Sequence, residues 1–242
     1  MQFSKQVSAK ILIVAGGGAS GAGGTGDIGN RGSGGGGAGG LIYLENISLN
    51  SNASYQVRVG NGGIGSAASY NPHKGQNGFN SLFDNYEAHG GGGGGTVAWQ
   101  GKDLSRCHGK SGGSGGGGGD YYGNAGSASQ NNIPSGLGFG SNGGNSRSNN
   151  IWNGSGGGGG AGGEGQPSTS SNQTPGDGGI GLSFDISGQD VVYASGGRGG
   201  YQYGDLAIQQ HAQSNSGDGG NGVGKNQNAS NGGSGIVIVS FE

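Results

Sequence analysis

Short apolar runs punctuate a chain otherwise built of glycine, serine and asparagine. They are ILIVA (11–15), LIYL (41–44), YQVRV (55–59), VVYA (191–194) and IVIV (236–239). Each has strand length and is rich in β-branched or aromatic residues. Leu41 to Leu49 reads as one strand, with residues 50–53 as the turn into the next. Tyr55, Val57 and Val59 alternate with Gln56 and Arg58, which predicts a half-buried strand. Residues 184–194 predict a hairpin around Ser187 to Asp190. The first and last runs place apolar strands near both ends of the sequence, and we expect them in one small sandwich. A helical pattern is confined to residues 205–213, with Asp205 as N-cap.

Composition sharpens this. Of 242 residues 70 are glycine, near the collagen fraction, but only four are proline and the glycines lack a G-X-Y period. A flexible linker is disfavoured as well, because charged residues make up only 10% and the apolar runs are dense. Glycine costs about 1 kcal/mol per interior helix position relative to alanine, so the tracts are not helices. They can form polyglycine-II segments, with three residues per turn and no internal hydrogen bonds. Side by side, such segments exchange amide hydrogen bonds and Cα–H···O contacts, and a Cβ would hold neighbouring backbones apart. Ordering a residue costs roughly 1–2 kcal/mol against about 0.5–1.5 kcal/mol per net hydrogen bond, so the tracts need the apolar strands as a clamp. The expected fold is all-β: a small antiparallel β-sandwich with an inserted polyglycine-II bundle and almost no α-helix, in one domain over residues 1–242.

Net charge is −2 and no basic stripe exists, so nucleic acid is not an expected partner. The single Cys107 cannot form an internal disulfide. No secretory signal and no membrane-length apolar stretch is visible, so membrane insertion is not expected.

Motifs with catalytic associations fail in context. Gly16, Gly18 and Gly21 form G-x-G-x-x-G after a strand, but residues 22–26 cannot open the helix that a dinucleotide site requires. Gly109-Lys110-Ser111 lacks the first P-loop glycine, since position 104 is leucine. Residues 112–116 match G-x-S-x-G around Ser114 without strand or helix, so Ser114 reads as a small side chain at a bundle edge. His73, His89, His108 and His211 share no spacing, and residues 23–27 only approximate a calcium nonapeptide. No enzyme activity, cofactor or metal is expected.

The order of the segments carries a resemblance. Strand-GGGASG at 11–21 is followed by GGGGAGGLIYLENISL at 34–49 and YQVRVGNGG at 55–63. GLSFDISGQDVVYASGGRGG at 181–200 and the terminal GGSGIVIVSFE at 232–242 complete the series. The series resembles the glycine-rich domain of bacteriophage tail-fibre and other virion proteins, over nearly the whole chain. A related region occurs in the ectodomain of anaplastic lymphoma kinase. In tip adhesins of T-even-like tail fibres such tracts form a polyglycine-II sandwich that displays variable receptor-binding loops. The resemblance implies a virion protein that binds a host surface receptor, a glycan or an outer-membrane protein. The first strand follows the first residues at once, with no fibre-attachment domain before it. A structural virion component contacting other subunits therefore stands as the second reading.

Loops between the tracts hold the candidate binding residues: Tyr70, His73, Trp99, Tyr121, Tyr122, Trp152, Tyr201 and Tyr203. Rigid aromatic anchors among Ser, Gly and Asn resemble a paratope in composition. The competing role for each is to cap a tract end.

Overall fold

The computed structural model describes residues 6–26, 31–50, 52–98, 103–130, 137–146, 154–169, 174–201 and 210–241. The strands are β1 (Val7–Val14), β2 (Leu41–Leu49), β3 (Val57–Arg58), β4 (Ser81–Phe83), β5 (Tyr86–Ala88), β6 (Leu137–Phe139), β7 (Leu182–Phe184), β8 (Val191–Tyr193) and β9 (Ile236–Phe241). All strand pairs are antiparallel, in sheets ordered β6-β2-β1-β9, β3-β4-β5 and β7-β8. The apolar strands near the two ends of the sequence are therefore direct neighbours.

Alternation along β1 explains the layering. Ile11 and Ile13 face one way and pack with Ile42, Leu44, Phe83 and Ala88, so β4-β5 covers that face. Leu12 and Val14 face the other way and pack with Leu41, Tyr193 and Ala194 under β7-β8. The central sheet is buried on both faces, which is why ILIVA reads as a continuous apolar run. Between Ala9 and Ile11 the pairing slips by one residue, from Ile47 to Leu44. That bulge lets even-numbered Ile42 and Leu44 and odd-numbered Ile47 and Leu49 face the same core. Asn46 sits there at φ 56°, a region asparagine tolerates.

Some expectations change. The strand at 55–59 shrinks to Val57–Arg58 on a sheet edge, with Val57 and Val59 exposed and only Tyr55 packed on the core. The hairpin at 184–194 forms as β7-β8, pairing Phe184 with Val191. The β4-β5 hairpin was not foreseen; its two-residue connection, Asp84-Asn85, relies on Asp84 at φ 52°. The helix expected at 205–213 falls outside the described residues up to 209, and 210–213 are not helical. A short 3-10 helix at Leu104–Cys107 is capped by Asp103, whose Oδ1 accepts from Ser105 N at 3.0 Å.

The glycine tracts run between the sheets and the opposite end of the molecule. Their amides obey a rule of three. In the first tract Ala15, Gly18 and Gly21 donate to Gly40, Gly37 and Gly34. Gly16, Ala19 and Ala22 donate to Phe79, Gln76 and His73, and Gly17, Ser20 and Gly23 to Gly233, Ser230 and Gln227. Each third residue thus addresses the same neighbour, the period of a segment with three residues per turn.

Tract 32–40 lies at the centre. It donates to tracts 89–95, 155–159 and 217–223 and accepts from tracts 15–21, 114–120 and 197–200. Those six surround it in chain order, and each is also bonded to the next: Gly91 to Gly16, Gly92 to Ser114, Gly156 to Gly118, Gly158 to Gly197, Gly219 to Ser195 and Gly220 to Gly18. The array is hexagonal. A Cβ built on Gly36 would collide with the Gly18 carbonyl oxygen, so the Cα–H occupies that contact.

Two features modify the expectation that only glycine fits. Buried Ala19, Ala22, Ala38, Ser20, Ser33 and Ser114 sit within the tracts. Ser114 is thus interior, not at an edge. Ser20 and Ser33 replace backbone partners: Ser230 N donates to Ser20 Oγ at 2.9 Å and Val223 N to Ser33 Oγ at 2.9 Å. Outer tracts use asparagine in the same way. Asn77 and Asn80 Oδ1 accept from Gly93 and Gly90, Asn142 and Asn145 from Ala128 and Ala125, and Asn228 and Asn231 from Ala68 and Gly65. Asp218 and Asn221 repeat the pattern on Ser195 and Arg198. The three-residue spacing of each pair matches the three-residue period of the backbone hydrogen bonds.

Candidate receptor-binding face

The hydrogen-bond register orders the loops along the molecule. Residues 15, 40 and 89 meet beside the central sheet, whereas residues 23, 32, 120, 200 and 223 lie at the other, distal end. Tyr70 and His73 are distal: Ser69 bridges to Gly24, and Ala22 N donates to His73 O at 3.1 Å. Tyr121 and Tyr122 form the distal turn after Asp120, and Tyr201 follows Gly200. Trp99, Trp152 and Tyr203 lie outside the described residues. Among the described residues, Tyr121-Tyr122 and Tyr201 therefore adjoin the distal ends of two ring tracts.

The aromatic types divide between the two ends. Tyr43, Tyr55, Tyr86 and Tyr193, with Phe83, Phe139 and Phe184, pack in or against the sheet cores. The distal set is tyrosine alone among the described residues. Tyrosine combines an apolar ring with a polar tip.

Tyr70 is 63% exposed and Tyr122 53%. Tyr121 is half-buried; its ring covers the Arg31 guanidinium at 4.8 Å and meets the Tyr122 ring edge-on at 5.5 Å. Arg31 itself is 6% exposed. So Tyr121 takes the capping role, whereas Tyr70 and Tyr122 offer free faces. His73 is exposed.

Several other polar groups are committed to the scaffold. Cys107 is fully buried, and burial, reinforced by the Asp120 charge, pushes its thiol up to about 12, which makes it a poor nucleophile. The amides of Gly16, Gly18 and Gly21 all donate to backbone carbonyls, so the G-x-G-x-x-G offers no anion cradle. His108 Nδ1 accepts from Asn124 N at 3.0 Å and His211 Nδ1 from Asn231 N at 2.9 Å. No cluster of three metal-ligating side chains occurs among the described residues. An open groove of about 480 Å³, lined by Arg58, Val59, Gly60, Asn61, Gly78, Phe79 and Asn80, lies at the sheet end and contains none of the candidate binding residues named above.

The sequence located the distal aromatics by composition but missed two partners. Arg31 carried no signal of burial, and the asparagine pairs become readable only once the three-residue period is known. A search among curated proteins returned no match. The family model described as a glycine-rich domain matches residues 3–242, and the chain belongs to that family.

Proposed function

We propose that the chain is a non-enzymatic, phage-type receptor-binding protein, a tail-fibre tip adhesin whose distal loops contact a host surface receptor. Its scaffold is a polyglycine-II bundle, a reading supported by the three-residue hydrogen-bond period and the hexagonal ring. The observation that carries the functional reading is the segregation of exposed tyrosines to the end opposite the sheets. A bundle cross-braced by backbone bonds holds loops rigidly, and rigid loops lose little entropy on binding. The protein would act in the virion. The test is adsorption of the isolated chain to a panel of bacterial cells. Saturable binding to some strains, lost when the distal turn 120–123 is replaced by Gly-Ser, is the expected result; no adsorption to any strain overturns it.

A structural virion role is the second reading, favoured by a different observation. Val57, Val59 and Phe79 are 52%, 47% and 59% exposed, and Val59 and Phe79 line the groove at the sheet end. An apolar surface there suits contact with another virion subunit. Affinity for other virion proteins that survives distal-loop replacement but is lost in Val59→Asp favours this reading.

A further inference from the structure

Eight non-glycine residues have positive φ among the described ones: Asn46, Asn52, Asp84, Tyr121, Tyr122, Ala194, Asn215 and Asn226. Five are Asn or Asp, which tolerate the left-handed region. Tyr121 (φ 74°) and Tyr122 (φ 58°) are the bulky exceptions, and they are consecutive. Two successive positive-φ residues are what a tight two-residue turn demands, and Asn-Gly or Gly-Gly supplies them without strain. A chain with 70 glycines and a run of asparagines elsewhere places two tyrosines here instead. Strain of this kind persists where surrounding structure enforces it and marks functional positions.

The enforcing contacts are present. Tyr121 N donates to Asp120 Oδ1 at 2.7 Å, and Asp120 is fully buried. Tyr121 is held over Arg31, and Tyr122 is held edge-on against Tyr121. The Tyr121 ring thus has a packing role. The Tyr122 ring, 53% exposed, does not cover the core.

We propose that the Tyr121-Tyr122 turn is a preorganised saccharide-binding platform, with the exposed face of Tyr122 stacking on a neutral sugar ring. This rests on the adhesin reading and narrows it to one receptor chemistry. The apolar C–H face of a pyranose fits an aromatic ring, and its hydroxyls fit neighbouring amides such as exposed Asn124. A protein partner calls for an apolar centre of several aliphatic and aromatic groups. The exposed large apolar side chains at the distal end are Tyr70, Leu104 and Tyr122, among the described residues, while valine, isoleucine and phenylalanine are exposed elsewhere. Arg31 and Asp120 are buried beneath the turn, so the platform presents no charge of theirs to attract an acidic sugar.

The experiment compares wild type with Tyr122→Gly and Tyr122→Asn as full chains. The probes are immobilised lipopolysaccharides and capsular polysaccharides from strains that adsorb the wild type, and vesicles of outer-membrane protein in sugar-truncated lipid. The expected result is polysaccharide binding weakened at least tenfold in both variants, with a Tm equal to or above wild type because the strain is relieved. Unchanged polysaccharide binding in the variants overturns the inference and leaves the adhesin reading standing. So does wild-type binding to the protein vesicles alone. A Tm well below wild type in both variants shows that Tyr122 holds the turn together and also overturns it. Failure of the wild type to adsorb to any cell removes the adhesin reading itself, and the inference falls with it.

Discussion

The two ends of this molecule are held together by opposite means. At the sheet end, Ile11, Leu12, Ile13, Leu41 and Ile42 are fully buried, and stability comes from removing large side chains from water. In the bundle, the buried material is backbone; contact is made by Cα–H and carbonyl oxygen, and cohesion by lateral hydrogen bonds. The sheet core tolerates a change of volume by partial relaxation. The bundle does not at positions such as Gly36, because a Cβ there would meet backbone that has no room to shift. The comparison teaches that glycine, usually the residue of disorder, specifies structure where every competing residue is excluded by close approach.

The largest effect is expected at the centre of the bundle. Gly36→Ala puts a methyl group against the Gly18 carbonyl, and the Gly36 oxygen is itself packed where Gly158 and Gly219 would carry Cβ atoms. The cost should exceed about 4 kcal/mol, enough to prevent soluble expression or abolish a cooperative melt. Leu12→Ala should be milder at about 2–5 kcal/mol, measured by denaturant unfolding, because it only empties space between β1 and the β7-β8 layer. If Leu12→Ala proves more damaging than Gly36→Ala, the bundle is softer than its contacts imply.

Smaller effects separate the bundle interior from its edge. Asn142→Ala removes the acceptor for Ala128 N at 2.9 Å and should cost about 1 kcal/mol by the same unfolding measurement. Asp218 occupies the position that asparagine fills in the other edge pairs. Its Oδ1 accepts from Ser195 N at 2.7 Å, yet burial holds its carboxyl above the ordinary value of 3.8. The native chain therefore binds this proton more readily than the unfolded chain. Stability from this group is greatest at low pH and is lost as pH rises from 3.8 through the elevated native value. Asp218→Asn keeps the acceptor without the charge. It should raise Tm at pH 7, measured by thermal unfolding. The gain should vanish at acid pH; a gain that is independent of pH would refute the electrostatic account.

Legibility in the sequence followed the same division. Leu41–Leu49 was readable to the residue, because a long β-branched and apolar run bounded by glycine and asparagine has one reading. The β4-β5 hairpin was not, since three-residue strands around Asp84-Asn85 are too short to establish a period. Val57 and Val59 show how alternation misleads: their pattern is that of a half-buried strand, but both are exposed on a sheet edge. The distal aromatics were found as bulky residues interrupting glycine. Their common placement at one end, and the division into Tyr121 as cover and Tyr122 as free face, required the register.

The sequence by itself determined which segments could be strands, which could not be helices, and that long stretches carry almost no side-chain bulk. Those are local properties of φ/ψ space and side-chain volume, present in any window of the chain. Which tract lies beside which was decided only in three dimensions. Glycine amides are chemically identical, so no local signal tells Gly36 to donate to Gly220 and not to another carbonyl. That choice is made by the sheets, whose specific side-chain packing fixes where each tract begins, and by the three-residue turn, which then assigns every later partner.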